Sequence, residues 1–380
     1  MKYKLGEIFE VGSGGTPSKS HPEYYGGSIP WIKTGDLKCE YLYEAEDYIT
    51  EEGLNNSSAK MYTSDTVLIA MYGATIGATS ILKIDACTNQ ACAAFKKSEK
   101  VIPEYLYYFF KSQKERFVKD GVGGAQPNIS AGYLKNVEME VPALERQAEI
   151  VDILDTVNRA IEQRGTELEE LDNLIKSRFV EMFGERGKVV PLTDYVWFQE
   201  GPGVRSIDFT LEGTILLTGS NINDNQISFG YKSDRFISDE LANGKYAHFM
   251  CDKDDILVVS SAIAPEKFDK KVTTVEEDKK YCLNTGIIRF KPNREVMTLG
   301  YFREFLKTDY FKHQVMAEMR GIAQMHFGPS HLKQMTILLP DTMEQQIEFE
   351  QFVNQVTKLK FELICTLNNP MLKRGNRYGN

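Results

Sequence analysis

The feature that most limits the fold is that the chain repeats itself once. At an offset of 198 residues, Gly123-Gly124-Ala125-Gln126 is matched by Gly321-Ile322-Ala323-Gln324, Leu134-Lys135 by Leu332-Lys333, and Pro142 by Pro340. At an offset of 195, Cys87-Thr88-Asn89 meets Cys282-Leu283-Asn284 and Phe95-Lys96 meets Phe290-Lys291; upstream, Thr34-Gly35 parallels Thr218-Gly219. Each half also closes alike, with an apolar segment ending on proline, a short turn, and a glutamine flanked by acids that opens a helical pattern. A period near 200 residues is too long for a solenoid and fits duplication of a whole domain, with pseudo-two-fold symmetry between the copies.

The helical patterns divide the chain. Ile150, Leu154, Val157, Ile161, Leu168, Leu171 and Ile175 recur at spacings of three and four, which predicts a coiled-coil-like helix over 144–184. Phe349, Phe352, Val356, Leu359, Leu363 and Leu367 predict a second over 343–369, stopped by Asn368-Asn369-Pro370. Neither stripe is buried alone, so the two are expected to pair antiparallel, leaving some apolar surface for another protein. Residues 1–143 and 185–342 become two similar mixed α/β (α+β) units, and 370–380 a flexible basic tail. Val-, Ile- and Leu-rich runs predict strands at 66–71, 256–259, 287–290 and 335–339; aromatic spacing predicts helices at 103–119 and 300–317. Those aromatics, and Trp31, read as core.

Charge narrows the function. The net charge is −9, but residues 144–184 alone hold ten acids against five bases, so the units themselves are near neutral. An acidic helix will not lie along phosphates and should face protein. The six cysteines form no C-x2-C pair and the five histidines no ligand spacing, which predicts neither structural zinc nor any metal. No phosphate-cradling G-x4-G-K-[ST], dinucleotide fingerprint, G-x-S-x-G or H-E-x-x-H occurs, so no catalytic residue is expected. Glu277-Asp278-Lys279 lies in a charge run that reads as a solvated loop. The opening MKYKLGEIFE carries no apolar stretch, and no run reaches a membrane span, so a cytoplasmic protein is expected.

Three features together resemble the specificity (S) subunit of type I restriction–modification systems. They are Gly14-Gly15-Thr16-Pro17-Ser18 with Tyr24-Tyr25, Ile29-Pro30-Trp31-Ile32 and Thr34-Gly35-Asp36-Leu37; Pro142 leading into Leu144-Glu145-Arg146-Gln147; and the duplication itself. The second unit departs from the pattern, with Gly201-Pro202-Gly203 and Ile215-Leu216-Leu217 in place of the T-P-S and P-W-I elements. The resemblance implies a non-catalytic subunit with two target-recognition domains, each reading half of a split, asymmetric double-stranded DNA target. Its helices would hold the domains apart and dock two methyltransferase (M) subunits. The chain itself would bind no cofactor: S-adenosylmethionine belongs to those adenine-methylating partners, and ATP and magnesium to the restriction (R) subunits of the full complex.

Base and phosphate contacts are expected from the polar, glycine-rich loops, because Asn and Gln suit adenine and Arg and Lys suit guanine or phosphate. The candidates are Ser13, Thr16, Ser18, Lys19, Lys33, Thr75, Gln126 and Asn128 in the first unit. In the second they are Arg205, Ser206, Asn221, Asn223, Gln324 and His326. Two other readings stay open: a coiled-coil adaptor with protein-binding units, and the remnant of a fused restriction–methylation enzyme.

Overall fold

The computed structural model describes residues 1–121, 128–184, 187–230, 233–317 and 325–367. The chain divides into two compact units, built mainly from Met1–Arg164 and Gly165–Cys365.

The first unit contains strands β1 (Val11–Ser13), β2 (Tyr25–Ile32), β3 (Val67–Ala70), β4 (Thr79–Leu82), β5 (Ala86–Thr88) and β6 (Cys92–Phe95), followed by helix α1 (Pro103–Asp120). β3 reads Val-Leu-Ile-Ala and is buried at every position; an unbroken apolar run suits a strand covered on both faces. The main sheet runs β1-β6-β3-β4, antiparallel throughout, with Tyr41–Leu42 added parallel at its edge. In a second sheet β2 pairs parallel with β5. α1 starts on Pro103, where the missing N–H costs nothing, and buries Leu106, Tyr107, Phe110 and Phe117. Phe110 meets Phe95 edge-on at 5.0 Å, and each such ring removed from water contributes about 1.5–3 kcal/mol.

After helix α2 (Leu144–Phe183) the wiring recurs. The second unit has β7 (Val196–Glu200), β8 (Thr214–Leu217), β9 (Ile256–Val259), β10 (Val272–Thr274), β11 (Tyr281–Leu283) and β12 (Ile287–Pro292). Its main sheet runs β7-β12-β9-β10, again antiparallel, and β8 pairs parallel with β11. Cys87 stands opposite Trp31, and Cys282 opposite Leu216, so the cysteine match in the sequence marks one position of one fold. The same register corrects the upstream match by one residue. Trp31 corresponds to Leu216, so Lys33 corresponds to Thr218 and Asp36 to Asn221, rather than Thr34-Gly35 to Thr218-Gly219. The helix expected at 300–317 is two, α3 (Leu299–Phe305) and α4 (Asp309–Ala317). Thr308 explains the break: its Oγ1 accepts from the Phe311 N–H at 3.3 Å and starts a new helix.

α2 is continuous over forty residues, and α5 (Met343–Leu367) over twenty-five. Gln147 and Val151 of α2 are buried and Leu154 partly so, the two apolar residues packing on the first unit's core; Ile175, Phe179 and Phe183 join the second unit's core with Phe349, Val353 and Val356 of α5. The helices run antiparallel there. Phe183 lies 5.4 Å from Phe349, Arg178 pairs with Glu348 at 2.8 Å, and Asp172 with Lys360 at 2.5 Å. The expected seam is therefore only partly right. Ile161 and Leu359 are 47% and 50% exposed, and Ile150, Leu154, Val157, Leu168, Leu171, Phe352 and Leu363 are half-buried. Apolar periodicity missed that the buried face of each helix begins on a glutamine, Gln147 or Gln346, which rotates the face toward Val151 and Val353.

Candidate nucleic-acid interface

An antiparallel order β1-β6-β3 brings the ends of β1 and β3 to the edge where β6 begins. The loops following β1 and β3 and the one preceding β6 therefore gather at one end of the first unit's sheet. The Met71 N–H donates to the Ala91 carbonyl at 2.8 Å, and the Ile129 N–H to the Met71 carbonyl at 3.0 Å. This sets exposed Asn128 antiparallel to Tyr72. Thr16 donates to Gln90 Oε1 at 2.5 Å, and the Thr75 hydroxyl to the Tyr72 carbonyl at 3.0 Å. Ser13 ends β1 at this edge, and Ser18, 2.6 Å from the Ser20 hydroxyl, is exposed beside exposed Lys19. Gly14 fixes the approach: a Cβ there would sit 1.7 Å from the Thr88 carbonyl oxygen.

The second unit repeats this frame with other side chains. Val11 faces Phe95 as Phe198 faces Phe290, so Ser13 corresponds to Glu200 and Gly14 to Gly201. A Cβ on Gly201 would lie 2.2 Å from the Asn284 carbonyl oxygen. Tyr72 corresponds to Ser261, and the Phe327 N–H donates to the Ser260 carbonyl at 2.9 Å as Ile129 does to Met71. His326 thus stands where Asn128 stands, its Nδ1 2.9 Å from the Ser261 hydroxyl. Even the turn is shared: Gly73 has φ 64° and Ala262, at the same position, φ 57°. Arg205 and Ser206 are exposed at the start of the 3-10 turn Ser206–Asp208. Trp31 is core as expected, buried with its indole N–H donating to the Gly15 carbonyl at 3.0 Å.

Other candidates are committed elsewhere. Asn221 is fully buried; its Oδ1 accepts from the Thr218 N–H at 3.0 Å, and its amide donates to Asp234 at 2.8 Å and to the Ser228 carbonyl at 3.2 Å. Asp36 does the same work in the first unit, accepting from the Lys33 N–H at 2.7 Å, so both are turn residues and not base readers. Lys33 is paired with Asp47, whose carboxylate raises the lysine's pKa. Asn223 accepts from Lys271 Nζ at 2.7 Å; that ammonium also donates to the carbonyls of Ile222 and Gly219, and desolvation lowers its pKa. Gln126 and Gln324 lie outside the described residues. Sequence reasoning missed Tyr72, Ser261 and Glu200 because equivalent positions that differ in residue type leave no trace in a self-comparison. Only the strand register finds them.

The family described as Type I restriction modification DNA specificity domain matches residues 1–173. The chain is similar to this family over a little under half of its length. It is 35% identical to the type I restriction enzyme MjaIX specificity subunit of Methanocaldococcus jannaschii over 185 residues, covering 47% of this chain and 43% of that one. With the MjaVIII specificity subunit of the same organism it is 21% identical over 370 residues, covering 92% and 84%. The chain thus spans less than half the length of MjaIX, its 35%-identical relative. A solved structure titled as the structural basis of complex assembly and conformational transition of the type I R-M system aligns over 100% of this chain and 95% of that one. With a TM-score of 0.59 at 16% identity, it supports this family's fold. Among the described residues no helix is long and apolar enough to cross a membrane, and no His, Cys, Asp and Glu side chains cluster as metal ligands.

Proposed function

We propose that this chain is the non-catalytic DNA-specificity subunit of a cytoplasmic type I restriction–modification complex. Each unit reads one half of a bipartite, asymmetric duplex target. α2 and α5 set the gap between the halves and dock two methyltransferase subunits. S-adenosylmethionine is held by those partners, ATP and magnesium by restriction subunits, and this chain holds no cofactor of its own.

One observation carries the reading: a single fold, present twice, exposes the same backbone frame at the same sheet end with different polar side chains on it. Two readers of different half-sites need a common scaffold and unlike reading groups, whereas an adaptor binding one protein twice would keep them alike. A fused enzyme would need an S-adenosylmethionine loop and an N-P-P-[FY] motif, and neither occurs in these residues.

Co-purification of the full chain with a methyltransferase, followed by genome-wide methyladenine mapping with and without the chain, tests it. The expected result is a bipartite methylated motif that appears only when the chain is present. Methylation at the same sites without the chain would refute it.

A further inference from the structure

We propose that three topologically equivalent positions in each unit set the bases read, and that Glu200 selects a cytosine in the second half-site. The positions hold Ser13, Tyr72 and Asn128 in the first unit and Glu200, Ser261 and His326 in the second. This rests on the reading of each unit as a half-site reader.

The three positions are fixed by backbone. The first ends the outer strand just before the glycine that no Cβ can replace, Gly14 or Gly201. The second leaves the central strand just after Met71 or Ser260 accepts from the returning chain, and the third lies on that returning chain, antiparallel to the second. In both units the residue after the second position holds a positive φ. In the second unit that residue is Ala262, which pays for the left-handed conformation that Gly73 adopts freely. Keeping this conformation without glycine is what a site that must aim Ser261 would retain.

Glu200 gives the most specific reading. A carboxylate repels phosphates, so at a DNA-facing edge it is tolerated where a donor meets it. The donors in the major groove are the N4 amino group of cytosine and the N6 amino group of adenine. Adenine also presents the N7 acceptor alongside, which an acceptor-only group opposes; cytosine does not. The Glu200 carboxylate is half-exposed, accepts a long hydrogen bond from the Gly286 N–H (3.4 Å), and pairs with no lysine or arginine among the described residues. Its lone pairs are available to a base.

The test uses the full chain assembled with its methyltransferase subunits. Methylation rates are measured on duplexes carrying each base at each position of the mapped motif. Glu200→Gln exchanges an acceptor pair for an acceptor and a donor, the pattern that suits adenine. It is expected to reduce cytosine preference at one position of one half-site at least about fivefold, with adenine gaining there. Ser13→Ala and Asn128→Ala are expected to alter the other half-site only. Unchanged discrimination in the E200Q complex, or a change in the half-site that Ser13→Ala alters, overturns the assignment. If E200Q stops methylation altogether, binding decides: an assembled complex that binds no duplex, including those with adenine substituted, also overturns it. A wild-type complex that methylates no bipartite motif would instead sink the half-site reading itself.

Discussion

Gln147 and Gln346 make the same pair of backbone bonds 199 residues apart. Gln147 accepts from the Ile102 N–H at 3.1 Å and donates to the Lys100 carbonyl at 2.8 Å; Gln346 accepts from the Thr298 N–H at 2.8 Å and donates to the Val296 carbonyl at 3.0 Å. Each amide bolts a long helix to the residue before the helix that covers its own unit's sheet. Both side chains are fully buried, so they stay only because both ends are satisfied.

Gln147→Leu is expected to leave the Ile102 N–H and the Lys100 and Pro142 carbonyls unpaired, costing about 2–4 kcal/mol at roughly 1–3 kcal/mol per orphaned buried group with partial relaxation. Hydrogen exchange should quicken around 100–106 in the first unit and stay unchanged around 296–302. Gln346→Leu should reverse that pattern. Equal loosening of both units by either variant would contradict the bolt.

Apolar packing should dominate the helix pair. Phe349 touches Phe179 and Phe183 with ring centroids 5.5 and 5.4 Å away, so Phe349→Ala is expected to cost about 3–5 kcal/mol. Asp172→Asn, which breaks the half-exposed pair with Lys360, should cost below about 1 kcal/mol. Denaturant midpoints of the two variants, measured against the parent at one ionic strength, check the ranking.

The length of α2 should be read out as DNA spacing. Deleting seven residues, 161–167, removes about 10 Å of helix at ~1.5 Å per residue, equivalent to about three base pairs of a ~34 Å turn. Methyladenine mapping should show both half-sequences kept and the gap shortened by about that amount. An unaltered gap would exclude α2 as the spacer.

Acid sensitivity follows from Asp252, which accepts from Lys279 and Lys291. Those two hydrogen bonds hold its pKa down to about 2, against about 3.9 unfolded. A carboxylate with a lowered folded pKa stabilises fully above its unfolded value and loses that contribution as pH falls from about 4 toward 2. The melting-temperature difference between the parent and Asp252→Asn should therefore be constant from pH 7 to 5 and shrink below pH 4. A difference undiminished at pH 2.5 would contradict the assignment.

Patterns local to the chain were legible in the sequence: the duplication, the long helices, the β3 and β9 runs, and Trp31 as core. Each depends on residues whose burial is dictated by their own composition and spacing. The errors arose where a residue's role depends on a distant partner. Asn221 looks like a base reader until Thr218 and Asp234 claim it, and Lys33 looks free until Asp47 is placed beside it. Ile161 and Leu359 fit an apolar stripe, yet each stands about half exposed.

By itself the sequence determined that one α/β fold occurs twice with a long helix after each copy, because apolar periodicity and the order of repeated residues survive divergence. The tertiary structure alone decided which polar residues share an edge. Ser13 and Glu200, or Tyr72 and Ser261, differ in residue type and fall outside the offsets of 198 and 195 at which the sequence matches itself. They become equivalent only when backbone hydrogen bonds, which ignore side-chain identity, set the register of the strands that carry them.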